Sequence, residues 1–374
     1  MENSNKIKIL HITQVAGGIE TYLEQIFKHI DREKFELILA FPIERSSIVK
    51  LVDKYNITNY PICLKWQISP IDDIKSIVSI IKLVKKIKPD IIHAHSSKAG
   101  MVARLASIFY NPKIVYTPNA FAYLGRRRLK KLLLVLIETM AIPFTDVLLA
   151  SSKSEANRAL NDLHFPKKKV EVYPNSIEIL PVDSDYTKTG IKKITTVGRL
   201  VNQKNPLMFL RVCKIITDTR NDVMFQIIGA GFEDKLKHKI NDFIEKNNLT
   251  DKISILPWTD RLNFLQMLKD TSVFVMTSAF ESFGYVAAEA QMLQIPVVAT
   301  NVDGLNEIVE NNVTGFLVEL NDAQEMAEKI LFLIDNPEQA QEMGCKGRLR
   351  IEKLFDIRNN IKILEKFYID QYIL

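Results

Sequence analysis

The feature that most constrains this chain is a repeated alternation of short β-branched runs with longer amphipathic stretches, interrupted once by a polar segment. In the first half the strand-like runs fall at residues 6–13, 35–41, 90–95, 113–117, 147–150 and 170–173. Between them the apolar spacing is helical; in residues 71–86 it occupies positions 71, 74, 77, 78, 81 and 84. Such alternation predicts parallel strands joined by helices that cover both faces of the sheet. Right-handed crossovers then make the fold doubly wound. Residues 180–190, LPVDSDYTKTG, are polar and rich in turn formers, and the alternation restarts at 193–197, 223–228, 253–256, 273–276, 296–299 and 315–318. The reading is an α/β chain of two Rossmann-like domains, residues 1–180 and 191–351, with a linker at 181–190 and one C-terminal helix over 352–374 packing back toward the first domain. Two such domains are expected to face across a cleft at the carboxyl ends of their strands, where open α/β sheets take ligands.

Composition narrows the functional classes. Over 374 residues, 47% apolar and 25% charged, the chain is neither disordered nor collagen-like nor a coiled coil. No apolar run reaches the ~18 residues of a membrane span, and the polar opening at residues 1–8 is not that of a signal peptide. Cys63, Cys213 and Cys345 are odd in number and far apart, which suits a reducing, cytoplasmic setting and neither a disulfide framework nor a metal site. The net charge of +6 is uneven: residues 1–180 hold 27 Lys+Arg against 17 Asp+Glu, residues 181–374 hold 23 against 27. A basic first half suits an anionic partner. No nucleic-acid motif accompanies the charge, so nucleic acid is not the expected partner.

Four segments at predicted strand ends carry chemistry. Gly17-Gly18 follows the first strand, where missing side chains let backbone amides approach a ligand and a helix N-terminus favours an anion. Arg199 leaves the strand at 193–197, and Lys204 stands before a helix opened by Pro206; two cations there can neutralise a diphosphate without a metal. The run Glu281-Ser282-Phe283-Gly284-Tyr285-Val286-Ala287-Ala288-Glu289 predicts a helix from 282 or 283, with amides 283–286 facing an anion and Glu289 about two turns along. Two carboxylates flanking an anion site suit the hydroxyls on either side of a diphosphate better than the phosphates. His93 and His95 share one face of a strand, ahead of Ser96 and Lys98. With no third ligand nearby in sequence, they read as polar residues lining the cleft rather than a metal pair.

Taken together, these motifs resemble the retaining glycosyltransferases of family 4, with the GT-B architecture of two facing Rossmann-like domains. Glu281 to Glu289 is similar to that family's E-x7-E element, and Gly198-Arg199-Leu200 with Lys204-Asn205-Pro206 to its diphosphate-binding pair. The stretch HAHSSKAGMVARLAS at 93–107 is similar to enzymes that build bacterial surface polysaccharides on lipid carriers. The resemblance implies a nucleotide-diphosphate sugar, UDP-linked, as donor and a lipid-linked or saccharide acceptor, with no cofactor and no metal. It implies that Arg199 and Lys204 hold the diphosphate, that Glu289 binds the ribose, and that Glu281 binds the sugar with the Phe283, Gly284 and Tyr285 backbone. It further implies that Gly17 and Gly18 let the first domain close on the distal phosphate, and places His95, Ser96 and Lys98 on the acceptor side. The run at 116–122 departs from the family: Asn119 stands where histidine is usual, and an amide cannot carry a proton near neutrality. The one D-x-D, Asp183-Ser184-Asp185, falls in the linker and reads as a turn.

One further segment points to a membrane. Arg126, Arg127, Arg128, Lys130 and Lys131 run into an apolar stretch at 132–137, a composition suited to an interfacial helix on anionic lipid. An ordinary buried helix with a solvated entry is the plainer alternative. The expectation is a cytoplasmic protein held peripherally at the inner face of the cell membrane. Two functional alternatives stand beside the transferase, a nucleotide-sugar 2-epimerase of the same architecture and a non-catalytic nucleotide-sugar-binding subunit. A dehydrogenase is disfavoured because no G-x-G-x-x-G follows the first strand.

Overall fold

The structure, a computed structural model, describes residues 6–14, 17–42, 46–65, 69–108, 110–181, 192–229 and 234–373. The chain divides into two compact units, Met1–Glu178 with Ile357–Leu374, and Ile179–Asp356. The first unit contains β1 (Ile7–Thr13), α1 (Gly18–His29), β2 (Phe35–Phe41), α2 (Ser46–Lys54), β3 (Thr58–Pro61), α3 (Pro70–Ile87), β4 (Ile91–His95), α4 (Ser97–Ser107), β5 (Lys113–Thr117), α5 (Arg128–Met140), β6 (Val147–Ala150), α6 (Lys153–Asn161) and β7 (Val170–Val172). Its strands are ordered 3-2-1-4-5-6-7, every neighbouring pair parallel, so the winding reverses between β1 and β4.

The second unit contains β8 (Lys192–Val197), α7 (Pro206–Thr219), β9 (Val223–Ile228), α8 (Asp234–Lys246), β10 (Ile253–Leu256), α9 (Arg261–Lys269), β11 (Val273–Met276), α10 (Tyr285–Met292), β12 (Val297–Thr300), α11 (Leu305–Ile308), β13 (Gly315–Val318), α12 (Ala323–Asp335) and α13 (Pro337–Leu354). Its order is 10-9-8-11-12-13, again parallel, with the reversal between β8 and β11.

Most of the inner strands are largely apolar because helices cover both faces. In the first sheet, Leu10, Ile12, Ile38, Ile92 and Ala94 pack with Ile80 and Val84 of α3 and Val102 and Ala106 of α4. In the second, Ile194, Phe225, Ile227 and Val275 meet Met208, Phe209 and Val212 of α7 and Met326 and Ile330 of α12. Each fully buried Val, Leu, Ile or Phe contributes about 1.5–3 kcal/mol.

Two features differ from the sequence reading. Strand β3, Thr-Asn-Tyr-Pro, is short, polar and mostly exposed; it lies at the sheet edge, where proline is tolerated and no apolar pattern is needed. The single helix expected over 352–374 is two helices, because Phe355 leaves helical geometry and buries its ring against Phe283, with centroids 5.4 Å apart. After that break α14 (Ile357–Ile373) joins the first unit. There Ile357 N–H donates to the Ile177 carbonyl at 3.0 Å and Asn360 Nδ2 to Ser176 Oγ at 2.8 Å. The Asp183-Ser184-Asp185 turn lies outside the described residues.

Candidate functional site

In the second unit the loops after β8 and β11 lie beside each other at the sheet's switch point. The chain leaves β8 through Gly198, at φ +148, whose carbonyl presses on Gly229 so closely that a Cβ there would stand 2.0 Å from it. Asn205, left-handed at φ 48, and Pro206 then start α7. Ala279 N–H donates to the Gln203 carbonyl at 2.7 Å, Gln203 Nε2 to the Phe280 carbonyl at 3.2 Å, and Thr277 Oγ1 to the Lys204 carbonyl at 2.9 Å. These bonds stitch the two loops together and bring Lys204 Nζ into a direct ion pair with the Glu281 carboxylate. The Glu281 N–H donates to Asp303 at 3.3 Å, and its carbonyl accepts from Gly304 N–H at 2.9 Å. Arg199, from the same β8 loop, is exposed; its carbonyl accepts from Val201 N–H at 2.8 Å, and its side chain makes no hydrogen bond or ion pair among the described residues.

The helix carrying Glu289 starts later than the sequence suggested. Gly284, left-handed at φ +101, caps α10, so its first residue is Tyr285, and Phe283 is drawn into the core. A Cβ on Gly284 would stand 2.7 Å from Leu305 Cδ2, so glycine is needed there for space as well as for backbone conformation. The positive end of the helix therefore lies at Tyr285, and Glu289 sits about one turn along rather than two. Glu289 is buried, and Arg261 Nη2 at the start of α9 approaches its Oε1 to 3.0 Å. Burial pushes its carboxyl above the usual range, and Arg261 partly opposes that. No spacing connects Arg261 or Asp303 to the E-x7-E run, so the sequence alone gives neither of them its contact with Glu289 or Glu281.

In the first unit, Gly17 caps α1 at φ +61, and Gly18 is the first residue of that helix, both exposed. His93 and His95 do not line an open surface: both are fully buried, because β4 is central and packed on both faces. Parallel register sets His11 of β1 opposite His93, a third imidazole that only strand pairing reveals. His11 Nδ1 lies 2.9 Å from His95 Nε2, with the rings stacked. Thr117 Oγ1 donates to the Leu149 carbonyl at 2.8 Å, so it accepts from His93 Nε2–H at 2.9 Å. His93 Nδ1 is thereby left to accept the Tyr368 O–H at 2.6 Å. One ring nitrogen from each of the three histidines lies within 4.8 Å of the others, but both nitrogens of His93 are already engaged. Burial holds all three below the usual imidazole range, His11 at about 3, and for His93 and His95 the neighbouring rings add to it. Ser96 caps α4, accepting from Ala99 N–H at 3.4 Å; Lys98 pairs with Asp73 and donates to the Lys65 carbonyl, each at 2.7 Å. Asn119 follows β5, left-handed at φ 51, and its Nδ2 is buried without a hydrogen-bond partner among the described residues.

Helix α5 is amphipathic toward solvent. Leu129, Leu132, Leu133, Leu136 and Met140 are 84%, 58%, 55%, 55% and 67% exposed, one stripe at helical spacing. Arg126, Arg127, Arg128, Lys130 and Lys131 are exposed at its start. The inner face is anchored by Glu138, which pairs with buried Arg104 at 2.8 Å and accepts from Tyr116 O–H at 2.9 Å. The alternative of an ordinary buried helix does not hold for this stripe. Among the described residues no helix is long and apolar enough to cross a membrane.

The sequence matches Glycosyltransferase Family 4 over residues 16–179 and Glycosyl transferases group 1 over residues 184–350. It is 29% identical to the UDP-Gal:alpha-D-GlcNAc-diphosphoundecaprenol alpha-1,3-galactosyltransferase of Escherichia coli, over 99% of this chain and 98% of that one. It is 28% identical to the capsular polysaccharide biosynthesis glycosyltransferase CapM of Staphylococcus aureus, over 96% of each. Among solved structures it resembles Anabaena Alr3699/HepE in complex with UDP-glucose, with a TM-score of 0.81 at 19% identity over 96% of this chain and 98% of that one. A glycosyltransferase from Rickettsia africae ESF-5 gives a TM-score of 0.79 at 19% identity over 98% and 99%. At such identities the structural likeness is one of fold.

Proposed function

Because this chain belongs to the family 4 glycosyltransferases and has their GT-B fold of two parallel-sheet α/β units, we propose that it moves a sugar, with retention, from a nucleotide diphosphate to a lipid-diphosphate-linked saccharide in surface-polysaccharide assembly. The observation that carries this reading is the Lys204–Glu281 pair at the switch point of the second sheet, with exposed Arg199 on the same loop as Lys204. An arginine and a lysine on fixed loops suit a diphosphate, and they supply two positive charges without a metal. Glu281, held at its backbone by Asp303 and Gly304, suits the hydroxyls of the sugar, and Glu289 those of the ribose. Diphosphate binding draws Lys204 toward the phosphates and frees the Glu281 carboxylate for the sugar.

The chemical step is departure of the diphosphate from the anomeric carbon. Negative charge grows on the leaving oxygens, and Arg199, Lys204 and the start of α10 lie where preorganised positive charge lowers that barrier. The departing phosphate takes the proton of the acceptor hydroxyl. Asn119, in place of the family's usual histidine, donates or accepts a hydrogen bond to the sugar but carries no proton. The E. coli relative is named for a UDP-Gal donor and a diphosphoundecaprenol-linked acceptor, which supports this choice of substrate class. The exposed apolar stripe of α5, flanked by five cations, supports peripheral attachment to the anionic inner face of the cell membrane, where such acceptors reside.

The test is transfer of a hexose from a panel of UDP-sugars to a polyprenyl-diphosphate GlcNAc acceptor, read as a mass gain of one sugar. Activity is expected to survive EDTA, and NMR of the product linkage reads retention directly. Interconversion of the free nucleotide sugar with no glycosylated acceptor would turn the reading to an epimerase. Nucleotide binding without turnover, even in Asn119→His, would turn it to a binding subunit.

A further inference from the structure

Ser152-Lys153-Ser154-Glu155 opens α6 with the pattern of a capping box, and Ser152 Oγ accepts the Glu155 N–H at 3.1 Å as that motif requires. Returning to the start of its own helix asks one carboxylate oxygen of a glutamate, whereas Glu155, almost fully buried, uses both. Oε2 accepts from the N–H and the hydroxyl of Ser151, each at 2.8 Å. Oε1 leaves the element altogether and accepts from the N–H of Ala120, in the loop after β5, at 2.7 Å.

That loop is the one place in the described residues where two consecutive non-glycine residues are left-handed, Asn119 at φ 51 and Ala120 at φ 74. Left-handed backbone is costly for a residue with a Cβ, and alanine lacks the polar side chain that lets asparagine tolerate it. Such a turn persists only where its surroundings hold it. A short bond from a buried carboxylate to the Ala120 N–H is a strong local restraint of that kind. Buried polar groups are ordinarily hydrogen-bonded, yet this turn keeps Asn119 Nδ2 buried and without a partner among the described residues.

We infer that Glu155 is a positioning residue for transfer: its carboxylate pins Ala120 and so holds the left-handed turn that presents the Asn119 amide to the donor sugar. The inference rests on the proposed function in one respect, that Asn119 touches the sugar. Glutamine at 155 separates positioning from capping. Its single carbonyl oxygen still serves the two Ser151 donors, as a capping glutamine does, but its NH2 then meets the Ala120 N–H. Glycine at 120 tolerates the left-handed conformation unaided.

The test is a double-mutant cycle on kcat/KM between Glu155→Gln and Asn119→Ala, with melting temperature followed in parallel. Glu155→Gln is expected to lower kcat/KM roughly tenfold or more in the wild-type background and less than about twofold in Asn119→Ala, with the same melting shift in both. Hydrogen exchange at the Ala120 amide is expected to quicken, and Ala120→Gly to restore part of the activity of Glu155→Gln. Equal losses in both backgrounds would overturn the role of Glu155 while leaving that of Asn119 intact. Unchanged kcat/KM in Asn119→Ala alone would overturn the sugar contact on which the inference stands. Should Glu155→Gln fail to fold, Glu155→Asp keeps the charge but withdraws it by one methylene, and the same cycle applies.

Discussion

At the switch point of the second sheet, Arg199 is exposed and Lys204 and Glu281 keep side-chain exposures of 23% and 13%; at the switch point of the first, His11, His93 and His95 have none. Both sheets are parallel and reverse their winding beside the first strand of the unit. The second unit leaves its polar groups within reach of a ligand and positions them through backbone bonds between loops. The first seals its polar groups inside, where His93 ties α14 to β4 and β5 while His11 Nε2 and His95 Nδ1 are left without a hydrogen-bond partner among the described residues. The same topology thus yields one strand end suited to binding charge and another suited to holding a helix against neighbouring strands.

The sharpest way to break this contrast is to remove a group from each end and read activity and stability separately. Arg199→Ala is expected to lower kcat/KM by roughly 100-fold or more while the melting temperature stays put, since the side chain is exposed and unpaired among the described residues. An equal loss of stability would place Arg199 in the scaffold instead. Tyr368→Phe should behave in reverse. It leaves the buried His93 Nδ1 unmet, which costs about 1–3 kcal/mol in urea unfolding, with kcat of the folded protein retained.

Acid sharpens the same comparison. The three imidazoles stay neutral in the folded state, with pKa values below the unfolded value near 6.5. Between the folded and unfolded values the unfolded chain holds the extra protons, so stability falls as pH drops below about 6.5, by up to ~1.4 kcal/mol per pH unit for each imidazole. Glu289, whose carboxyl is raised, acts with the opposite sign, so the assignment rests on His93→Gln flattening the slope of the urea midpoint between pH 7.5 and 5.5. A slope unchanged by His93→Gln would remove His93 from the effect.

The smallest expected effect on stability is at α5. Leu132→Gln with Leu136→Gln should leave unfolding within about 0.5 kcal/mol of wild type, because both side chains are more than half exposed. The same pair should sharply reduce pelleting with anionic vesicles. Glutamine at 126–128, 130 and 131 should abolish the preference for anionic over neutral lipid. Undiminished pelleting by both variants would move the lipid contact elsewhere.

Much of the fold was legible because strand periodicity is local. The runs at 35–41, 113–117, 147–150, 223–228, 253–256, 273–276 and 315–318 coincide with strands of the structure. The loops bearing Arg199, Lys204 and Glu281 could be placed because each follows such a strand. The edge strand β3 leaves no trace in the sequence because an exposed edge needs no apolar pattern, and α10 begins later than its pattern suggests because a left-handed glycine cap is decided by space beside Leu305.

By itself the sequence determined two series of parallel strands, the cations and carboxylates at the strand ends, and the basic start of α5, since each follows from side-chain chemistry and spacing along a short stretch. The tertiary structure decided that Lys204 meets Glu281, that Arg261 meets Glu289, that His11 joins His93 and His95, and that Glu155 reaches Ala120. Those pairings join segments far apart in the chain. Sheet register, loop packing and burial select them, and no local pattern encodes these.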